Sequence, residues 1–241
     1  MTDGKRIDLS VVIPAYNEER NLPETVREVT GVLSRRAWTF EIVAVDDGST
    51  DGTARVAGSL AACDRRVVVS TNGRNLGMAR AFLRGVAVAR GDWVMLIPAD
   101  LAVRPDQIPG FMEAAGRADV VLGIRANRDD YSAVRALVSR VNIFLVRTLF
   151  RMPQRQFNFV ALYRRAIFES FEVVSGSHFF HAEILIRARD AGFTIEERDA
   201  ENVPRRFGET SAGSPAAVAR ALRDLLLFWW SWRWAGPRGT R

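Results

Sequence analysis

Residues 40–53 read FEIVAVDDGSTDGT, an apolar run that stops on two acids and breaks into turn residues. The run 40–45 has the length and the β-branched content of a strand, and the Asp, Gly, Ser and Thr behind it are residues that turn a chain. The same event occurs twice more in the first hundred residues. LSVVI (9–13) runs into PAYNEE, and WVMLI (93–97) runs into PADL. Strands that are apolar throughout, rather than alternating, are covered on both faces. Between them lie helical patterns: 22–33, with Pro23 in the first turn and Leu22, Val26, Val29 and Leu33 on one face; a stretch near 53–62; and 77–90, stopped by Gly91. A further short strand is expected at 67–70. This βαβα order predicts an α/β fold, a mostly parallel Rossmann-like sheet with helices on both faces. Ligands in such sheets bind at the strands' C-terminal ends, which brings PAYNEE, DDGSTD and PADL to one edge.

The second half is less regular. VVLGIR (120–125) reads as a strand and 131–150 as a long amphipathic helix, with Val134, Leu137, Val138, Val141, Leu145 and Leu149 as its expected buried side. Arg135, Ser139 and Asn142 share its other face. A helix is expected over about 179–191, a short strand at TIEE (194–197), and a basic glycine-bearing loop at RRFGETSAGS (205–214). Residues 215–241 form a separate amphipathic, Trp-rich C-terminal segment, leaving one domain over 1–214.

Composition narrows the function. The chain has 241 residues, 48% hydrophobic, with a formal charge of +6 and Lys5 as its sole lysine. That is a folded, core-forming composition, which excludes a disordered chain. The positive balance suits an anionic partner, and arginine forks suit phosphate; an arginine-biased genome gives the same composition. Nucleic-acid binding fits the charge, but no recognition motif accompanies it. The lone Cys63 excludes an internal disulfide framework and fits a reducing cytosol. MTDGKRIDLS carries no apolar signal region, and no stretch approaches the ~20 uncharged apolar residues of a spanning helix. The expected location is cytoplasmic, with the inner membrane face as a surface on which the protein can lie.

VVIPAYNEERNLPETV (11–26), EIVAVDDGSTDGT (41–53) and NLGMARAFLRGVAVARGDWVMLIPADL (75–101) together resemble the family-2 glycosyltransferases of the GT-A fold. Within that family the chain is most similar to the polyprenyl-phosphate glycosyltransferases, the dolichol-phosphate mannose synthase subgroup. The resemblance implies a donor half over about 1–105 and an acceptor half over about 106–214. It also implies transfer of a sugar, with inversion, from a nucleoside-diphosphate sugar to a dolichyl or undecaprenyl-type phosphate.

By the same resemblance Pro14, Ala15, Tyr16 and Glu18 line the nucleotide pocket; read alone, Asn17 and Glu18 fit helix capping equally well. Asp46 is implied as the acceptor of a base N–H. Adjacent strand-end residues point in opposite directions, so Asp47 either joins the donor site or supports the Gly48–Thr50 turn. Asn75, Gly77 and Arg80 are implied near the donor, Arg80 having a solvated surface role as its alternative.

The subgroup holds Mg²⁺ or Mn²⁺ with two acids and a glutamine, whereas this chain offers Pro98, Asp100 and Ala102. Asp100 is therefore the one candidate metal ligand of the motif. Arg125, Arg135 and Ser139 match the residues that hold the lipid phosphate. RRFGETS resembles the subgroup's R-x-x-G-x-S loop, with Arg205 as its arginine, Gly208 as its glycine and Thr210 in place of serine, and Arg205 or Arg206 can neutralise the diphosphate. His178 and His181 read as a helix-start pair. Trp229, Trp230, Trp232 and Trp234, beside Arg220, Arg223 and Arg233, suit a bilayer's headgroup zone or a packed interface.

A phosphomonoester, with a second pKa near ~6, is already charged at neutral pH and needs positioning rather than a base. A sugar or protein hydroxyl needs a base, for which Glu183 is the candidate. A nucleotide-sugar-binding protein without catalysis is the alternative from another class. An oligomer is compatible with all of these.

Overall fold

The computed structural model describes residues 6–126, 133–201 and 214–235. Its sheet contains β1 (Leu9–Ala15), β2 (Phe40–Asp46), β3 (Val67–Thr71), β4 (Trp93–Leu96), β5 (Val120–Arg125), β6 (Ala161–Arg164) and β7 (Ile195–Ala200). Their order is β3-β2-β1-β4-β6-β5-β7. Only β6 runs against its neighbours, pairing antiparallel with both β4 and β5, while every other pair is parallel. The helices are α1 (Leu22–Leu33), α2 (Thr53–Cys63), α3 (Met78–Val88), α4 (Ile108–Ala114), α5 (Ala133–Phe150), α6 (Ile167–Ser170), α7 (Phe180–Asp190) and α8 (Pro215–Ala235).

The continuous apolar strands have a direct cause. Val12, Val43 and Val45 face a core built with α3, α5, α7 and α8. Their neighbours Val11, Ile13, Ile42 and Ala44 face a second core closed by α1, α2 and α4. These residues are therefore apolar whichever way they point, and the buried polar pair in the same strands, Ser10 and Glu41, bond to each other at 2.7 Å. α3 lies tight on the sheet: a Cβ on Gly85 would stand 2.3 Å from Val12 Cγ1. Phe82 of α3 is fully buried, and its truncation to Ala would cost about 3–5 kcal/mol.

Two expectations change. The strand β6, ALYR, has no counterpart among the expected strands, because four residues are too few to display a period. The α5 assignment of buried residues also needs correction: Leu137 and Val141 are exposed, at 60% and 49%, and so is Phe144 at 65%. Leu145 and Leu149 do pack against the core, together with the buried Val146 and Phe150, and Ser139 and Asn142 are half-buried. Over much of its length this helix turns apolar side chains outward.

α8 divides its aromatics. Leu225 and Phe228 are buried, Trp232 donates from Nε1 to Asp190 Oδ2 at 2.6 Å, and its ring meets Phe150 edge-on at 5.4 Å. Trp230 and Trp234 lie on the outside, with Leu222, Leu226 and Leu227. Among the described residues no helix is long and apolar enough to cross a membrane.

Candidate functional site

The loops after β1, β2 and β4 meet at the strands' C-terminal edge, as parallel pairing of these strands requires. The first two are sewn together. Asp47 N–H donates to Ala15 O (2.8 Å), Asn17 N–H to Ser49 Oγ (3.0 Å), and Glu18 N–H to Thr53 Oγ1 (2.8 Å). Thr50 N–H returns to Asn17 Oδ1 at 2.9 Å. Asn17 adopts φ +57°, a left-handed conformation that asparagine tolerates better than most residues. Tyr16 is left 43% exposed beside this seam, and Pro14 is half-buried. Glu18 accepts the Asn21 side-chain N–H at 2.6 Å, so this acid also steadies the entry to α1.

Asp46 and Asp47 are both buried, at 5% and 3% exposure, and they do different things. Asp46 Oδ1 accepts the Ser49 N–H at 3.1 Å and so supports the Gly48–Thr50 turn. Asp47 does not hold that turn. Its Oδ1 accepts from Asn72 Nδ2 (2.7 Å) and Leu76 N–H (3.0 Å), and its Oδ2 accepts from Gly77 N–H (2.8 Å). It thus ties the β2 loop to the opening of α3.

Gly48, at φ +72°, completes this junction: a Cβ there would come within 2.4 Å of the Arg74 carbonyl carbon. Only glycine permits both the dihedral and the approach. Gly77, at φ +86°, gives its N–H to Asn75 Oδ1 as well, at 3.0 Å.

Arg80 is exposed and donates from Nη2 to Val174 O at 3.0 Å, which links α3 to the segment before α7. That segment has two more anchors. Glu183, 0% exposed, accepts Val174 N–H (3.0 Å) and Arg187 Nε–H (2.7 Å) at Oε1, and Ser175 N–H (2.7 Å) at Oε2. Asp224 of α8 accepts Ser177 N–H at 3.2 Å. Between α3, this segment and α8 lies a cleft of about 640 Å³, lined by Asn75, Gly77, Ser177, Arg220 and Leu227 among others.

The third loop carries Asp100. Thr25 Oγ1 of α1 donates to Ala99 O at 2.6 Å, holding the loop against the first. Asp100 is 6% exposed and its Oδ1 accepts Ala102 N–H at 3.0 Å. Leu101 follows at φ +56°, a strained value for a side chain of its size. Among the described residues no three His, Cys, Asp or Glu side chains converge as a metal cage. One carboxylate fits a cation held chiefly by phosphate oxygens and water, in the manner of Mg²⁺.

Arg125 ends β5, half-buried, with its guanidinium 5.0 Å from the Phe159 ring centroid. Ser139 lies on the inward side of α5. Arg135 belongs to α5, but its side chain lies outside the described residues, as do Arg205, Arg206, Gly208 and Thr210. His181 is buried, its ring centroid 3.9 Å from that of Phe180.

Residues 10–178 match a family model described as glycosyl transferase family 2. The chain belongs to that family. Curated relatives of this family-2 glycosyltransferase include an undecaprenyl-phosphate 4-deoxy-4-formamido-L-arabinose transferase of Pseudomonas aeruginosa (strain LESB58). The two are 42% identical over 168 residues, covering 68% of this chain and 49% of the relative. The corresponding protein of Pseudomonas fluorescens (strain SBW25) is 42% identical over 135 residues, 55% of this chain and 39% of that one. The chain thus spans half or less of the length of these relatives.

Glucosyl-3-phosphoglycerate synthase from Mycobacterium tuberculosis, solved with phosphoglyceric acid, shares the fold. Its TM-score is 0.73 at 20% identity, over 92% of this chain and 79% of that one. The same enzyme solved with Mn²⁺, uridine-diphosphate and glucosyl-3-phosphoglycerate gives 0.72 at 20% identity, over 92% and 79%. The fold of this family-2 glycosyltransferase is therefore GT-A. Thr25, Gln156 and Asp224 carry no signal in the sequence. Their partners Ala99, Arg125 and Ser177 are 74, 31 and 47 residues away, and no local pattern signals such pairings.

Proposed function

We propose that this domain transfers a sugar from a nucleoside-diphosphate sugar to a polyprenyl phosphate of the dolichyl or undecaprenyl type, with inversion, at the cytoplasmic face of a membrane. The observation that carries the choice of acceptor is the state of Glu183. This acid is the candidate base that the sequence offers for a hydroxyl acceptor, yet it is buried and committed to three N–H donors. A phosphate acceptor needs no base. Its oxygen attacks the anomeric carbon in line, the bond from that carbon to the diphosphate oxygen breaks, and the nucleoside diphosphate leaves with the electron pair.

Each part of the chain has a task in this reading. Pro14, Ala15, Tyr16, Glu18 and Asp46 receive the nucleoside, with Asp47 shaping the pocket through Asn75 and Gly77. Arg80 holds the neighbouring segment. Arg125, Arg135 and Ser139 hold the acceptor phosphate, and Arg205 and Arg206 take up negative charge from the diphosphate. A divalent cation, Mg²⁺ or Mn²⁺, held by Asp100 would neutralise charge on that leaving group. The names of the curated relatives support the acceptor class.

The outward faces of α5 and α8 support the membrane. Leu137, Val141, Phe144, Leu222, Leu226, Leu227, Trp230 and Trp234 are exposed. The two helices contain six arginines and a single acid, Asp224. Apolar side chains set among arginines suit an anionic lipid surface.

The test is a panel of nucleoside-diphosphate sugars incubated with undecaprenyl or dolichyl phosphate, or with sugar hydroxyl acceptors, in Mg²⁺, Mn²⁺ or EDTA. A glycolipid product that falls strongly in EDTA and on Asp100→Asn is expected. Transfer to hydroxyls alone, or donor binding without transfer to any acceptor, overturns the proposal. Undiminished product in EDTA removes the cation from it.

A further inference from the structure

The end of β5 is built in an unusual way. Main-chain bonding toward β6 reaches Gly123, whose N–H donates to Val160 O at 2.8 Å. Two residues on, at Arg125, the chain that would continue β6 has turned away, because Phe157 plunges into the core at 1% exposure. A side chain takes the strand's place. The Gln156 carboxamide accepts the Arg125 N–H at Oε1 (3.3 Å) and donates from Nε2 to the Arg125 carbonyl (3.1 Å).

On the other side Arg125 remains in register with Ala200 of β7, and Ala126 N–H donates to Ala200 O at 3.0 Å. The root of the Arg125 side chain is thus fixed from both sides. Its tip is held as well, the guanidinium lying 5.0 Å from the centroid of Phe159, three residues after Gln156. One short segment, 156–159, therefore sets both ends of one arginine.

We infer that Gln156 and Phe159 are positioning residues for Arg125, setting the guanidinium at which an acceptor phosphate is received. This rests on the reading of Arg125 as a phosphate ligand. A two-way amide bond fixes where the side chain leaves the sheet, and an aromatic face limits how far the guanidinium swings. An arginine whose rotamers are already restricted loses less freedom when it engages a phosphate. A merely structural role would look different: losing the contacts would lower stability and disturb both substrates alike.

Steady-state kinetics of the full chain, with polyprenyl phosphate and donor varied separately, distinguish these. Gln156→Ala and Phe159→Leu should each raise the acceptor KM by about tenfold, equivalent to about 1.4 kcal/mol. The donor KM should stay near wild type when each variant is assayed well below its thermal midpoint. Phe159→Tyr keeps the ring and should restore the acceptor KM. In an Arg125→Ala background, neither Gln156→Ala nor Phe159→Leu should add a further defect.

Full additivity with Arg125→Ala overturns the inference, as does a parallel rise in both KM values with a loss of stability. An Arg125→Ala defect that the Gln156 and Phe159 variants do not share overturns the inference alone. A wild-type acceptor KM in Arg125→Ala overturns the reading of Arg125 and the inference with it.

Discussion

Asp47 and Gly77 are joined across thirty residues of sequence: the Asp47 Oδ2 accepts the Gly77 N–H at 2.8 Å, just where α3 begins. With Leu76 and Asn72 on its Oδ1, Asp47 receives three N–H donors while almost fully buried. Asp46 receives one, from Ser49. Asp47→Asn places an amide N–H against donors and should lose about 1–3 kcal/mol of stability. Asp46→Asn should leave the thermal midpoint closer to wild type and raise the donor KM by roughly tenfold, if one base contact is worth about 1.4 kcal/mol. Denaturation and donor kinetics on the two variants check this split, and equal stability losses would contradict it.

Glu183 makes an opposite prediction to that of a catalytic base. Glu183→Gln leaves Arg187, whose side chain is 29% exposed, without its carboxylate and weakens the hold on Val174 and Ser175. A stability loss of about 2–3 kcal/mol is expected. Turnover per folded molecule, measured well below the midpoint, should stay within a few-fold of wild type. Losing a general base would cost roughly 10²–10⁴ instead.

His181 confers a specific acid sensitivity. Burial first, then the charge of His178, pushes its pKa from 6.5 down to about 3. The folded chain keeps the ring neutral where the unfolded chain binds a proton. The stability associated with this group is therefore intact above about pH 6.5 and is lost as pH falls toward about 3, by about 1.4 kcal/mol per pH unit. His181→Phe should flatten the fall of the thermal midpoint over that window. Parallel curves for variant and wild type would count against this account.

The outer faces of α5 and α8 should govern surface attachment. Trp230→Ser with Trp234→Ser, or Leu137→Ser with Phe144→Ser, alters side chains more than half exposed, so the fold should tolerate both pairs. Sedimentation with vesicles of mixed anionic and neutral lipid should show binding reduced several-fold for each pair, and reduced further by salt. Unchanged binding by both pairs would exclude these faces as the attachment surface.

The sequence displays β1, β2 and β4 openly, because residues such as Val11 and Val12 serve two different cores and both must be apolar. The turn chemistry after each strand is equally local, so the three loops at the strands' C-terminal ends can be read before any fold is known. The burial of α5 cannot be read in this way. A row of Leu137, Val141 and Phe144 signals an apolar face without saying what it faces, and here it faces outward. Glu183 is visible as an acid on a helix, but its enclosure depends on Val174 and Ser175 folding back over it. Gln156 standing in for a strand is decided where β6 departs from β5, which no period in the sequence reveals.

The inner side of α8 carries a mechanical consequence. Leu225 and Phe228 are embedded in the interior, Trp232 is latched to Asp190, and Asp224 grips Ser177 beside the mouth of the cleft. Such a helix cannot pivot like an anchor on a tether. A surface that engages its outer side would meet the loops after β1, β2 and β4 at a height and tilt already built into the fold, as a tool meets the bench on a rigid mount.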